Sequence, residues 1–288
     1  MGLTAGKVLS RSDIADYHRS GAHSPLRVFD DAEATALRGS IEAIERERGP
    51  IFSENRPRPG DPIQGSYRFK SHLLFKWLSD VVRRPRILDM VEDLIGPDIL
   101  CWTTHWFIKE ANSPQYVSWH QDNNYWGVET DHLVSVWLAV SPSSIESGCL
   151  RILPGSHKVA VMEHVDTWAK DNMLTRGQAI PEVDESKAVN LELDAGEAAL
   201  FDYRLAHAST PNVSNDRRIG IGLRYVPPSA RQVLADWDSA SLVRGVDRYG
   251  NFELEPEPTQ DFDPEAVAFH QKADAEQRKV YYQGAKVG

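Results

Sequence analysis

The stretch that decides the fold of this chain runs from Val117 to Trp126 and reads VSWHQDNNYW. A strand predicted to end at His120 is followed, two residues on, by the carboxylate of Asp122. Because alternate residues of a strand share one face, the two side chains can converge on one point. An imidazole and a carboxylate are two of the three protein ligands that non-haem iron(II) sites use. The pattern therefore predicts part of a metal site.

A third ligand has to come from a distant part of the chain. His207 occurs well downstream and is followed by Arg218, the order expected for an iron site with an anion-binding arginine. By itself a His-x-Asp pair is more often a surface or hydrogen-bonded pair than a metal site. The candidate set of His120, Asp122 and His207 therefore depends on the motifs around it.

The composition predicts one large domain. The chain has 288 residues, of which 41% are hydrophobic, and no Pro/Gly/Ser-rich linker divides it. This content is enough to bury a sizeable core. We expect a single domain over residues 1–288, with a mostly helical part at 1–97, a β core at 98–227 and a C-terminal extension at 228–288.

Charge and cysteine content narrow the classes of partner. The net charge is −10, whereas nucleic-acid binding needs a clustered basic surface, so nucleic acid is not expected as a partner. Apolar runs are too short to span a bilayer, so no membrane partner is expected either. The two cysteines form no disulfide framework, which favours a reducing cytoplasm. The sequence indicates no oligomeric state.

The hydrophobic period changes near residue 99. Before it, helices are predicted after Asp30 or Asp31, around 73–82, and from Pro85 to Gly96. After it, short apolar or alternating segments separated by turns predict an antiparallel sandwich or barrel. A polar insertion at 157–187 separates two of the predicted strands. A last helix is predicted to begin at Asp263. The predicted strands are 99–109, 116–120, 133–140, 149–153, 189–193, 198–201 and 219–226.

The last predicted strand has two unlike faces. One face is apolar, while the other carries two arginines and two glycines in place of the usual Thr, Lys or Glu of a solvent face. Glycine in a strand often marks a place where another group approaches the backbone closely. We therefore expect this second face to be directed at a ligand. Its residues are Arg218, Gly220, Gly222 and Arg224.

Three stretches in order give the chain a specific resemblance. It resembles the phytanoyl-CoA dioxygenase family of iron(II)/2-oxoglutarate oxygenases over about residues 73–225. That resemblance implies a mainly β fold with flanking helices and a double-stranded β-helix (jelly roll, cupin-like) core. The stretches are WHQD at 119–122 with YW at 125–126, GCLRILPGSH at 148–157, and HASTPN at 207–212 leading to RR at 217–218.

The resemblance also implies roles for individual residues. The cofactor would be Fe(II), with 2-oxoglutarate and dioxygen as cosubstrates, and Arg218 would hold the distal carboxylate of 2-oxoglutarate through its planar guanidinium. Arg217 is expected on the opposite face of the strand, and His157 is expected to be a local turn residue. The implied metal ligands are His120, Asp122 and His207, and the further cosubstrate contacts are Gln121, Trp137 and Ser209.

The implied reaction is hydroxylation of a substrate C–H bond, coupled to oxidative decarboxylation of 2-oxoglutarate. Related halogenases have a small residue where this chain has Asp122, so Asp122 favours hydroxylation. Two alternatives stay open. The same centre could carry out desaturation or cyclisation, or the chain could be a non-catalytic metal- or ligand-binding protein of the cupin type, for which Arg218 would have no use.

The substrate is predicted to be small and polar, with an anionic or zwitterionic character. Basic and aromatic residues at 67–72 could focus an anion toward the site, although a helix start with solvent-facing cations would look the same. A glycine-flanked segment at 244–252 is a candidate lid. The predicted substrate contacts are His105, Tyr125, Trp126, Lys70 and His72.

Overall fold

The computed structural model describes residues 6–53, 66–124, 126–159, 161–174 and 176–281. Its helices are α1 (Arg11–Ser20), α2 (Asp31–Arg48), α3 (Lys76–Val82), α4 (Pro85–Ile95) and α5 (Pro264–Tyr281). Its strands are β1 (Ala22–Arg27), β2 (Ile99–Lys109), β3 (Val117–His120), β4 (Val128–Glu129), β5 (Val134–Ala139), β6 (Leu150–Ile152), β7 (Val165–Asp166), β8 (Gln178–Ala179), β9 (Val189–Leu191), β10 (Glu197–Asp202), β11 (His207–Ser209), β12 (Arg218–Val226), β13 (Arg231–Gln232), β14 (Ser239–Arg244) and β15 (Glu253–Leu254).

The predicted helices begin where the local signals place them. Asp30 caps α2 by accepting a hydrogen bond from the backbone of Glu33, whose side chain caps the backbone of Asp30 in return. Pro85 occupies the first turn of α4, where its missing N–H costs nothing. Helix α1, capped by the same kind of box at Ser10, was not predicted. None of the described helices is long and apolar enough to cross a membrane.

Two sheets form the β core. The larger has the strand order β1-β10-β5-β12-β2-β14-β15, and the smaller has the order β3-β11-β6-β9. Their facing sides share one apolar cluster, in which Trp137 and Phe201 of the large sheet pack with Leu150 and Ile152 of the small one. This arrangement confirms the predicted jelly-roll core with flanking helices.

The outer face of the large sheet packs on the helices. Ile219 and Ile221 of β12 join Ile41 of α2 and Ile87 of α4 in the largest buried cluster. The other face of β12 is turned toward the small sheet, and Arg218 and Arg224 line cavities there. The predicted core face of β12 is therefore observed, and the opposite face is directed at cavities, while its contact with a ligand stays a prediction.

The predicted segment boundaries do not match the sheet. Strand β1 lies in the part expected to be mostly helical, yet it pairs with β10. Strand β14 lies in the C-terminal extension and pairs with β2. Because all three predicted segments contribute to one sheet, the pairing supports a single domain, which stays a prediction.

Candidate active site

The three predicted ligands meet where the neighbouring strands β3 and β11 of the small sheet end and begin. His120 ends β3, His207 begins β11, and these two residues face each other in the strand register. Oδ1 of Asp122 lies 3.4 Å from Nε2 of His120, and Oδ2 of Asp122 lies 3.9 Å from Nε2 of His207. The three ligand atoms all lie within 4.8 Å of one another, and all three residues are buried.

Backbone carbonyls orient both imidazole rings. Nδ1 of His120 lies 2.9 Å from the carbonyl oxygen of Ser118, and Nδ1 of His207 lies 2.8 Å from that of Leu205. With the proton on Nδ1, each ring donates to its carbonyl and keeps a lone pair on Nε2 for a metal. Burial, followed by the neighbouring His120, lowers the pKa of His207 to about 3, so it is neutral near pH 7.

Asp122 supplies the negative charge of the set. Its Oδ2 is buried and accepts no hydrogen bond from the described residues. Burial raises the pKa of Asp122, but the neighbouring His207, His120 and Arg224 outweigh it, and the net pKa is lowered. A buried carboxylate oxygen without a donor, beside two lone pairs on nitrogen, fits a divalent iron ion.

Arg218 marks a cavity next to this set. It is 1% exposed, its Nη1 donates to the carbonyl of Gly148 at 2.5 Å, and no carboxylate in the described ranges pairs with it. Burial lowers the pKa of Arg218 to about 10. The cavity encloses about 370 Å³ and is also lined by His120 and His207. A buried guanidinium without a carboxylate partner fits an anionic ligand.

A second basic side chain, Lys109, flanks the same end of the cavity and was not predicted. It ends β2, is paired in register with Arg218, and donates from Nζ to Oγ of Ser209 at 2.7 Å and to the carbonyl of Thr210. Burial, and then the charge of Arg218, lowers the pKa of Lys109 to about 6. Strand alternation could have identified Lys109 as a site residue, because it shares one face of β2 with His105.

Comparison with known proteins fits this arrangement. Residues 17–220 match the family described as phytanoyl-CoA dioxygenase (PhyH). The chain belongs to the phytanoyl-CoA dioxygenase family. This match confirms the resemblance found in the three sequence motifs.

Relatives of this family member are oxygenases. A probable alpha-ketoglutarate-dependent hypophosphite dioxygenase of Stutzerimonas stutzeri is 26% identical over 233 residues, covering 78% of each chain. An ectoine dioxygenase of Bordetella parapertussis is 23% identical over 232 residues, covering 75% of each. The solved structure of the non-heme monooxygenase ThoJ, in its apo form, has a TM-score of 0.78 and 31% identity over 94% of this chain and 97% of ThoJ. The chain is an Fe(II)/2-oxoglutarate-dependent dioxygenase.

Of the remaining predicted cosubstrate contacts, some line the cavity and one does not. Trp137 and Ser209 line the cavity beside Arg218, so their predicted contact with the cosubstrate stays open. Gln121 does not line the cavity, because its Nε2 donates to the carbonyl of Arg204 at 2.8 Å and its Oε1 accepts from the backbone of Met162 at 2.8 Å. Both ends of the amide are bound by backbone, which argues against the predicted role of Gln121.

Arg217 lies on the opposite side of the large sheet from Arg218. There it binds the carboxylates of Glu45 and Glu110 at 2.6 and 2.7 Å.

The two glycines of β12 make room for the protein's own side chains. A Cβ at Gly220 would lie 2.3 Å from Cζ2 of Trp137, and a Cβ at Gly222 would lie 1.5 Å from Nη1 of Arg224. The groups that approach this strand closely are therefore an indole and a guanidinium, both of which line cavities. Another group does approach the backbone at both glycines, but it is a side chain of the protein, and the ligand-facing role stays a prediction.

We expect Gly220→Ala to destabilise the protein by about 1–3 kcal/mol, because the rigid indole has to move out of a packed position. Gly39→Ala is the matched control: Gly39 is an exposed residue inside α2 with no atom within 4 Å of its added Cβ. That substitution should stabilise the protein by roughly 0.5–1 kcal/mol. Denaturant unfolding measures both, and a neutral Gly220→Ala would contradict the packing described for Trp137.

A second cavity adjoins the first on the other side of Phe107 and Arg224. It encloses about 520 Å³ and reaches Asp122. The predicted substrate contacts His105 and Trp126 line it. Tyr125 lies outside the described residues.

Lys70 and His72 lie elsewhere. Nζ of Lys70 contacts Oε1 of Glu255, and Nε2 of His72 lies 2.9 Å from Oε2 of the same carboxylate. Ser239 and Ser241 complete the set by donating to Glu255 at 2.8 and 2.7 Å. Because both basic side chains are buried on the protein's own carboxylate, the geometry argues against their predicted contact with substrate. The alternative, in which these basic side chains face solvent at the start of a helix, is excluded as well, because both are buried.

The segment at 244–252 does not cover the cavities. Arg244 binds Asp89 and Glu92 at 2.7 Å, and Arg248 binds Asp98 at 2.7 Å, all beside α4. The part of the C-terminal extension that reaches the second cavity is instead the last turn of α5. His157 lies in a short 3₁₀ turn with Nε2 at 3.3 Å from the carbonyl of His18, as a turn residue would.

Proposed function

We propose that this enzyme hydroxylates a small, polar molecule that carries an anionic group, and that it uses His120, Asp122 and His207 to hold Fe(II). The observation that carries the proposal is the adjacency of two cavities around one triad. One cavity has a buried cationic end and the other has a single arginine among mostly apolar walls. The first suits 2-oxoglutarate and the second suits a substrate.

The chain's own residues would prepare the reaction. When bound, the iron supplies the activation of dioxygen that is coupled to oxidation of 2-oxoglutarate. Arg218 and Lys109 would neutralise the distal carboxylate of 2-oxoglutarate, and Ser209 would hold the amine of Lys109 in place. Trp137 and Phe201 line the same cavity and exclude water from it.

The charges around the second cavity favour an anion. Arg224 lines it, and Asp122 is the only carboxylate among the described lining residues. Burial, followed by the charges of Arg68 and Arg224, lowers the pKa of His105 well below its usual value, so this imidazole is a neutral hydrogen-bonding group. With Asp122 engaged by a metal, the net local charge is positive, which suits a carboxylate, phosphonate or zwitterion.

The size of the second cavity favours a small molecule over an acyl-CoA. Even when the part open to solvent is counted, the space among its lining residues is only about 520 Å³. The relatives named for hypophosphite and ectoine also act on small polar compounds. A cytoplasmic location, favoured by the free cysteines Cys101 and Cys149, is part of the same proposal.

A substrate screen tests the proposed function. The protein is loaded anaerobically with Fe(II), and succinate formation is measured with small amino, carboxylic and phosphonic acids and with acyl-CoAs. We expect small acids to stimulate turnover. Stimulation by acyl-CoAs alone would overturn the substrate class and leave the iron centre intact, and metal binding without turnover of 2-oxoglutarate would favour a binding protein.

The affinity for 2-oxoglutarate should depend on pH through Lys109. Its pKa is lowered to about 6, so the free enzyme holds the amine neutral above that pH, and a bound carboxylate would restore the proton. Binding then takes up a proton, and the affinity should fall by up to about tenfold per pH unit as the pH rises from roughly 6 to 8. Anaerobic calorimetry with Mn(II) measures this.

Lys109→Met is the control for that measurement. It should bind 2-oxoglutarate more weakly at low pH and should lose the pH dependence. An unchanged slope in this variant would show that another group takes up the proton.

A further inference from the structure

We propose that Tyr281, at the end of α5, is a specificity-determining residue that forms the outer wall of the substrate cavity and limits the size of the acid that enters. This inference rests on the proposed function and names the residue that selects among substrates. It concerns a helix that lies outside the β core and outside the matched range of residues 17–220.

Tyr281 stands between two spaces. On one side it lines the second cavity together with Phe69, His105 and Trp126. On the other side it lines a narrower crevice beneath α5, of about 290 Å³, together with Trp102 and Trp126. The side chains of Tyr281 and Trp126 are therefore the partition between the cavity and the crevice. Removing the phenol would join the two spaces and lengthen the cavity away from Asp122.

The polar insertion holds this partition in place. Nη1 of Arg176 donates to the carbonyl of Tyr281 at 3.3 Å, and its Nη2 lies 3.2 Å from Asp166. The backbone N–H of Arg176 donates to Oε1 of Gln178 at 3.2 Å, and Gln178 itself lines the cavity. The insertion runs beside β3, where the backbone of Ile180 donates to the carbonyl of Trp119 at 2.7 Å. The outer wall is thus fixed relative to the strand that carries His120.

The phenol oxygen accepts a hydrogen bond from Trp126, and its O–H can donate a hydrogen bond to an anion. Burial raises the pKa of Tyr281, the charge of Asp122 raises it further, and the hydroxyl stays protonated. Tyr281 and Arg224 line the same cavity, so a carboxylate or phosphonate held by Arg224 has a neutral donor beside it.

A panel of acids of increasing size tests the selection. Turnover of 2-oxoglutarate is measured in the parent, Tyr281→Ala, Tyr281→Phe and the control Tyr249→Ala, which removes a tyrosine that is 64% exposed. We expect Tyr281→Ala to shift the ratio of kcat/KM toward larger acids by about tenfold or more. Tyr281→Phe should keep the size limit and raise KM for small acids more than it lowers kcat, and Tyr249→Ala should match the parent.

A second measurement needs no substrate. The variants are loaded with Mn(II) and 2-oxoglutarate, and the relaxation of bulk water protons reports how freely solvent reaches the metal. We expect faster relaxation in Tyr281→Ala than in the parent, with Tyr281→Phe and Tyr249→Ala unchanged.

The outcomes separate the two proposals. A parent that binds no metal, or that turns over no 2-oxoglutarate with any acid, overturns the proposed function. A functional parent whose substrate profile and water relaxation persist in Tyr281→Ala overturns the role of Tyr281. Faster relaxation together with a changed size preference supports it.

Discussion

The His207→Ala variant is expected to lose 2-oxoglutarate turnover and iron binding while the protein stays folded. Even residues that only orient a metal ligand change affinity or activity by 10–100-fold, so loss of a ligand should exceed about 100-fold. The fold should persist because the His207 ring contacts only the edge of the cluster between the sheets, through Phe201 at 4.9 Å between ring centroids, and the apolar side chains that form the cluster stay in place. Metal titration and circular dichroism measure the two effects.

His132→Ala is the matched control, because it also removes an imidazole. His132 is exposed, lies between β4 and β5, and is not part of the site. It should bind iron and turn over 2-oxoglutarate like the parent. Near-native turnover in His207→Ala, or equally in His120→Ala, would show that the metal ligands are wrongly assigned.

Arg218→Ala should raise the concentration of 2-oxoglutarate that the enzyme needs far more than Arg217→Ala does. Loss of one partner from a buried charged pair costs about 2–5 kcal/mol, which corresponds to roughly 30- to 4,000-fold in affinity. Arg217 is bound to Glu45 and Glu110 on the outer face, so its loss should leave the affinity for 2-oxoglutarate unchanged.

Anaerobic binding of 2-oxoglutarate to the Mn(II) form separates the two arginines, and thermal unfolding checks that both variants are folded. Arg218→Lys should recover only part of the affinity, because an ammonium cannot make two parallel hydrogen bonds to a carboxylate. Equal losses in Arg217→Ala and Arg218→Ala would contradict the assignment of the two faces of β12.

The parts of the site that could be predicted from sequence depend on local geometry. Strand alternation separates Arg218 from Arg217, and the spacing of His120 and Asp122 follows from a strand that runs into a turn. The order of the three motifs then adds His207. The same alternation pointed to Lys109, but its partner Ser209 lies on another strand, so the pair became visible only in the fold.

The parts that could not be predicted depend on long-range packing. Lys70 and His72 look like an anion-binding patch because nothing near them in sequence reveals that Glu255 neutralises them. Gln121 lies between two metal ligands, yet its amide is bound by distant backbone groups. Tyr281 carries no local signal, since its position depends on how α5 packs on the core.

The buried Glu255 cluster has a consequence for how the chain folds as it is synthesised. Glu255 emerges from the ribosome 185 residues after Lys70, which takes between roughly 10 and 40 s at ordinary rates of translation. Until then the ammonium of Lys70 has none of the carboxylate partners that the described residues provide, and burying it unpaired is costly. The side chain of Lys70 is therefore expected to stay solvated, and the region around it unpacked, until nearly the whole chain has been synthesised.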